Sequence, residues 1–247
     1  MFEYQAPPDL LKGLVIIVTG AGSGIGKTAS LTFAQHGATV ILMGRTITKL
    51  ESVYDEIEKN QWPKPAIYPI DLAGADENDY KTMAETIGQT FHCIDGLLHN
   101  AAQIGELKPI SQYHYDTWKN VLQVNLNSAF LLTRELLPLL RKSSEASIVF
   151  TSSSVGHKGR AHWGAYSVSK FATEGLMQTL ADEEDGIGPV RCNSINPGGT
   201  RTQMRASAFP AEDPLTRPTP EQIMPLYLYL MGADSKGVNG KAWHAQA

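Results

Sequence analysis

The sequence predicts an α/β fold, a doubly wound parallel sheet with helices on both faces, and three observations predict it. Short apolar runs rich in Val, Ile and Leu alternate with longer amphipathic segments, as expected when crossover helices cover both faces of a parallel sheet. The 247 residues, 42% hydrophobic and 19% charged, suffice for one well-buried domain and are short for two. A glycine-rich turn follows the first apolar run directly.

The expected strands are, in order, "LVIIV", "TVILM", "AIYPI", "GLLH", "SIVFT" and "VRCNSI". Helices are expected to begin near Gly24, Thr46, Asp76, Asp116 and Tyr166, and a later one in "TPEQIMPLYLYLMG" has Pro220 near its first turn. The order reads strand then helix throughout. Residues 1–12 form a short N-terminal extension. The Pro-rich, polar stretch over about 201–219 reads as a mobile flap within the same domain, because one helix and a short tail follow it. No repeat at solenoid period and no low-complexity tract interrupts the pattern.

In "LVIIVTGAGSGIGKTASLTFAQHG" a buried strand, a glycine turn and an amphipathic helix follow one another. Gly20, Gly24 and Gly26 suit a turn where backbone approaches a ligand and helix packs on strand. The free amides and positive dipole end of such a helix suit a pyrophosphate. The spacing is TGxxxGxG, and a tight turn that binds nothing is the alternative; its place after the first strand favours a nucleotide and a Rossmann-like sheet. In "VILMGRT", Gly44 stands where a carboxylate would accept from the ribose 2′-hydroxyl of NAD, and Arg45 follows. A missing carboxylate beside a guanidinium favours NADP(H) over NAD(H).

Composition narrows the partners. The formal net charge is −4, without a basic block, so the footprint of a nucleic-acid binder is missing and a small-molecule partner is expected. Cys93 and Cys192 make neither a disulfide framework nor a CxxC metal site, and "MFEYQAPPDLLKG" lacks the regions of a signal peptide, which fits a reducing cytoplasm. No apolar run approaches the roughly 20 residues needed to span a bilayer. His157 and His162 lack a partner at ligand spacing, so no metal is expected.

"AYSVSKFATEG" places Tyr166 and Lys170 four residues apart, on one helical face. With "TGAGSGIG", this pair makes the chain resemble the short-chain dehydrogenase/reductase family from Leu11 to about Trp243. More narrowly, "FTSSSVG", "WGAYSVSKFATEG" and "NPGGTRTQMRASAFP" resemble its bacterial YciK-like oxidoreductases. The resemblance implies a catalytic set of Asn125, Ser153, Tyr166 and Lys170. It implies that Ser23 and Ile25 join the glycines at the phosphates, and that Asp71 and Leu72 hold the adenine. It also implies that Asn100, Ala101 and Ala102 line the cofactor, that Pro197, Gly198, Thr200 and Thr202 embrace the nicotinamide, and that the chain is a homodimer or homotetramer. Two features depart from the family pattern: "HNAA", with His99 and Ala102 replacing the usual residues, and the tail "VNGKAWHAQA".

The chemistry follows from ordinary acidities. Tyrosine near pKa 10 is a poor base at neutral pH, but a cation about 4 Å away at an effective dielectric near 20 is worth on the order of 4 kcal/mol, enough to bring it into working range. Tyr166 would then protonate a carbonyl oxygen or accept an alcohol proton. Ser153 would hold the same oxygen. The resemblance gives Lys170 the nicotinamide ribose hydroxyls and Asn125 a proton-relaying water. Taken singly, a snorkelling Tyr–Lys pair, a capping serine or a backbone-bonded asparagine would explain each residue; jointly they point to a carbonyl reductase or alcohol dehydrogenase. A 3-oxoacyl thioester reductase and a non-catalytic NADP(H) sensor are the alternatives. His157, His162 and Trp163 are expected at the substrate mouth, under a lid carrying Met204 and Phe209. The long helix around Asn125 and the one after Tyr166 have more apolar positions than one sheet face needs, so they are expected to bury an interface between copies.

Overall fold

The computed structural model describes residues 1–246. Among them, seven strands form one sheet: β1 Val15–Thr19, β2 Thr39–Gly44, β3 Ala66–Pro69, β4 Gly96–His99, β5 Ala146–Thr151, β6 Val190–Asn196 and β7 Lys241–His244. Their order is β3-β2-β1-β4-β5-β6-β7 and every neighbouring pair is parallel. The chain reverses its direction of winding between β1 and β4, which opens a crevice at the carboxyl ends of the strands.

Among the described residues there are eight α-helices: α1 Gly24–Gln35, α2 Ile47–Lys59, α3 Glu77–Thr90, α4 Tyr115–Leu122, α5 Ser128–Leu140, α6 Gly164–Glu184, α7 Gln203–Ala208 and α8 Met224–Met231. Successive strand residues point to opposite faces. Ile17, Ile41 and Ile148 therefore meet Tyr80, Leu132, Leu136 and Met177 of α3, α5 and α6. Ile16, Val18, Val40 and Val149 meet Phe33, Leu50, Val53 and Leu230 of α1, α2 and α8. Asp76 starts α3 with a capping box, accepting from Asn78 N and Asp79 N while the Asp79 side chain accepts from Asp76 N. Among the described residues no helix is long and apolar enough to cross a membrane.

The departures from expectation are local. α6 starts two residues before Tyr166. The long helix is α4 and α5 joined through a π turn at Gln123–Asn127. The tail is no loose end: Lys241–His244 pairs with β6 as β7, although its last residue, Ala247, lies outside the described residues. The flap contains α7 and is tied down by Glu212, which bonds Arg205 and Arg217, and by Arg201, which donates to the carbonyls of Pro214 and Arg217.

Candidate active site

The crevice is a cleft of about 410 Å³ running from the β1 turn to the flap. The turn is fixed from below: the Thr19 hydroxyl donates to Leu98 O and accepts from the amides of Asn100 and Ala101, while Asn100 Nδ2 donates to Thr19 O. Gly20 holds φ +69 and its added Cβ would lie 3.0 Å from Ala101 Cα. A Cβ at Gly26 would strike the Gly20 carbonyl oxygen, so the third glycine lets α1 pack under the turn. Ser23, extended at the helix start, makes no side-chain cap and no acidic residue occupies the first turn. The leading amides of α1 thus remain free for an anion.

Gly20, Ser23, Gly24, Ile25, Arg45, Asp71, Leu72, Asn100, Ala101 and Ala102 all line this cleft, as do Pro197, Gly198, Thr200 and Thr202 farther along. Gly26 does not. Lys49, in the first turn of α2 and four residues after Arg45, also lines it. Gln246 was equally hidden in the sequence: Nε2 donates to Pro197 O at 2.7 Å and to Thr200 Oγ1 at 3.2 Å, so the tail supports the loop after β6.

Ser153, Tyr166 and Lys170 share one wall of the cleft. Ser153 follows β5, and the first two turns of α6 carry the other two. Lys170 Nζ donates to Thr151 O at 2.6 Å and lies 5.6 Å from the Tyr166 ring centroid. Burial pushes the Tyr166 phenol up to about 12, against the opposing pull of the Ser153 hydroxyl. Burial also lowers Lys170 to about 8, opposed by the charge of Glu174. The phenol is thus raised where a lowering by Lys170 was expected, because desolvation disfavours the charged form of each side chain.

Asn125 lies behind that wall rather than in it. Its Oδ1 accepts from Gln103 N at 2.7 Å, and its Nδ2 donates to Gln103 O at 2.9 Å and to Ser169 Oγ at 3.0 Å. The π turn aims it inward. A void of about 10 Å³ lies against Asn125, Thr151 and Lys170, close to the room one water needs. His99, also buried, stacks on Phe150 at 4.6 Å and sits 2.8 Å from Thr133 Oγ1. Since that hydroxyl donates to Ala129 O, it accepts from His99 Nε2. Burial, followed by the charge of Lys170, lowers His99 to about 3, keeping it neutral.

At the mouth, Trp163, Met204 and Phe209 line the cleft as expected. His157 and His162 do not: His157 Nε2 points to Glu174 at 3.3 Å, and His162 is exposed at φ +70.

Residues 14–213 match the family model for short chain dehydrogenases. The uncharacterized oxidoreductase YciK of Escherichia coli K12 is 51% identical over 244 residues, spanning 99% of this chain and 96% of that one. A solved short chain dehydrogenase from Pseudomonas syringae is 56% identical and superimposes with a TM-score of 0.98, covering 100% of both chains. One from Shigella flexneri, complexed with NADP, is 50% identical with a TM-score of 0.95, covering 98% of this chain and 100% of that one.

Proposed function

Because the chain belongs to the short-chain dehydrogenase/reductase family, we propose that this oxidoreductase uses NADP(H) to interconvert a carbonyl compound and a secondary alcohol through Asn125, Ser153, Tyr166 and Lys170. The observation that carries the proposal is the convergence of Ser153, Tyr166 and Lys170 on one wall of a cleft that ends at the free amides of α1. Those residues fit a dinucleotide: the glycine turn leaves a cradle that side chains would fill, and Gly44 leaves the ribose end without a carboxylate. Arg45 and Lys49 stand there as cations without an ion-pair partner among the described residues, and the Shigella relative was solved with NADP.

A bound nicotinamide dinucleotide supplies hydride chemistry. The protein's part is proton handling and orientation. With its pKa pushed up to about 12, Tyr166 is a phenol at neutral pH, which suits it to protonate a carbonyl oxygen. Ser153 supplies a second donor to that oxygen. Lys170, protonated below about pH 8, stabilises the negative charge left on the phenol after transfer. Lys170 would then give a proton to the Tyr166 phenolate, and a water held in the void beside Asn125 would replace it.

NADPH oxidation measured against a panel of ketones, aldehydes and 3-oxoacyl thioesters tests this. Tyr166→Phe is expected to lower kcat by about 10²–10⁴-fold, and Ser153→Ala by about 10²–10³-fold, with NADPH affinity retained. Reduction surviving both changes would remove the mechanism. NADPH binding without turnover of any panel compound would favour the sensor.

We further infer that α5 and α6 pair with a second copy of the chain, because Phe130, Val168 and Phe171 are exposed together on these two helices.

A further inference from the structure

An aromatic wall leads out of the cleft from Tyr166. The Trp163 ring lies 5.7 Å from that of Tyr166 and 5.9 Å from that of Phe209, at 39° to the latter. The wall ends in a cation: Arg160 Cζ stands 5.7 Å from the Phe209 ring and 6.0 Å from the Trp163 ring. Phe209 also receives Arg205, whose Cζ is 3.7 Å from its centroid. Two guanidiniums therefore converge on one ring, and they differ in one respect. Arg205 is neutralised by both oxygens of Glu212 at 2.6 Å, whereas Arg160 has no ion pair or hydrogen bond among the described residues.

The neighbouring acids are committed elsewhere. Glu212 is shared with Arg217, Asp213 caps Leu215 N, and Glu106 is held by Lys108 and His114. Arg201, the remaining flap cation, is satisfied by carbonyls alone. Arg160 is thus left without a counter-charge among the described residues, on a chain of formal net charge −4. An exposed guanidinium alone is worth little. Arg160 lies beside the Trp163 and Phe209 rings, its Cζ about as far from each as they are from one another, and offers a planar, multi-donor edge that a carboxylate or phosphate can accept from.

We propose that Arg160 reads an anionic group on the substrate: the natural substrate is an oxo acid or oxo phosphate whose carbonyl reaches Tyr166 and Ser153 and whose apolar middle lies along Trp163 and Phe209. The assignment rests on the carbonyl-reductase function proposed above. It is tested with wild-type enzyme and NADPH by kcat/KM for oxo acids of graded length and for their methyl esters. At the best length the acid is expected to be favoured by about 10-fold or more, from a charge-assisted bond, with the preference falling as salt is added. Arg160→Leu is expected to bring the acid-to-ester ratio close to one and Arg160→Lys to keep part of it, NADPH binding by each variant reporting that it is folded. Esters and other neutral carbonyls reduced as well as the acids by wild type, or an acid preference that survives in Arg160→Leu, would overturn the anion site and leave the carbonyl reductase standing. Reduction of neither class would overturn the reductase, and the anion site with it.

Discussion

Lys170 is 3% exposed and has one hydrogen-bond acceptor, Thr151 O. Its pKa of about 8 in the folded chain lies below its ordinary value of 10.5. Below pH 8 folded and unfolded chains both carry the charge, and the fold bears the full cost of burying it. Between about pH 8 and 10.5 the folded chain has released the proton and the unfolded chain has not, so this group makes stability rise with pH. Lys170→Met removes the titration. Urea melts should show the variant gaining on wild type at pH 7, the difference shrinking by on the order of 3 kcal/mol by pH 10.5; a pH-independent difference would contradict the buried charge. Tyr166, whose raised pKa acts with the opposite sign from pH 10 to about 12, is present in both proteins and cancels. At the other end of the cleft, Arg45→Ala is expected to cost about 10- to 100-fold in kcat/KM for NADPH and little for NADH, and equal losses for both would sink the NADP assignment. Tyr166, Lys170 and Arg45 were legible because their chemistry is written in short spacings. The upward pull of burial on Tyr166 was not, because desolvation depends on everything packed around the side chain.

At the scale of elements, the packing of α1 under the β1 turn depends on Gly26. A methyl there would meet the Gly20 carbonyl and Asn100 Nδ2, which is itself tied to Thr19 O. Backbone cannot rotate out of the way as a side-chain tip can, so the turn has to shift. Gly26→Ala is expected to destabilise the protein by about 1–3 kcal/mol and to weaken NADPH binding by about 10- to 100-fold; unfolding and fluorescence titrations would check both, and an unaffected Kd would show that the turn tolerates the shift. That strand, turn and helix were legible because their period and glycines are local signals. β7 was not: "KAWH" is four residues, three of them exposed, with no apolar alternation to mark it. The flap misled for the opposite reason. Its Pro and polar composition reads as loose chain, while the guanidiniums of Arg201, Arg205 and Arg217 that tie it find partners 5 to 16 residues away, which no local pattern reveals.

For the whole molecule, one sheet with a helix layer on each face accounts for most of the apolar side chains, and three of the large ones left exposed lie on α5 and α6. Phe130 on α5 and Val168 and Phe171 on α6 are 46%, 44% and 45% exposed. Val168 and Phe171 are one helical turn apart, and Gly175, with nothing within 4 Å of an added Cβ, extends the same face as open surface. A monomer exposing such a stripe would leave large apolar side chains in water, at about 1.5–3 kcal/mol for each one that a partner would fully bury. A second copy turned about a two-fold axis places the same stripe against itself and removes the cost. Wild-type protein is therefore expected to sediment as a dimer or tetramer. Phe171→Glu puts like charges into the centre of a self-complementary patch and is expected to shift it to monomer by at least tenfold in dissociation constant. Because Phe171 faces away from the cleft, NADPH affinity in the variant separates loss of assembly from loss of fold; a wild-type monomer, or an oligomer indifferent to the charge, would place the interface elsewhere.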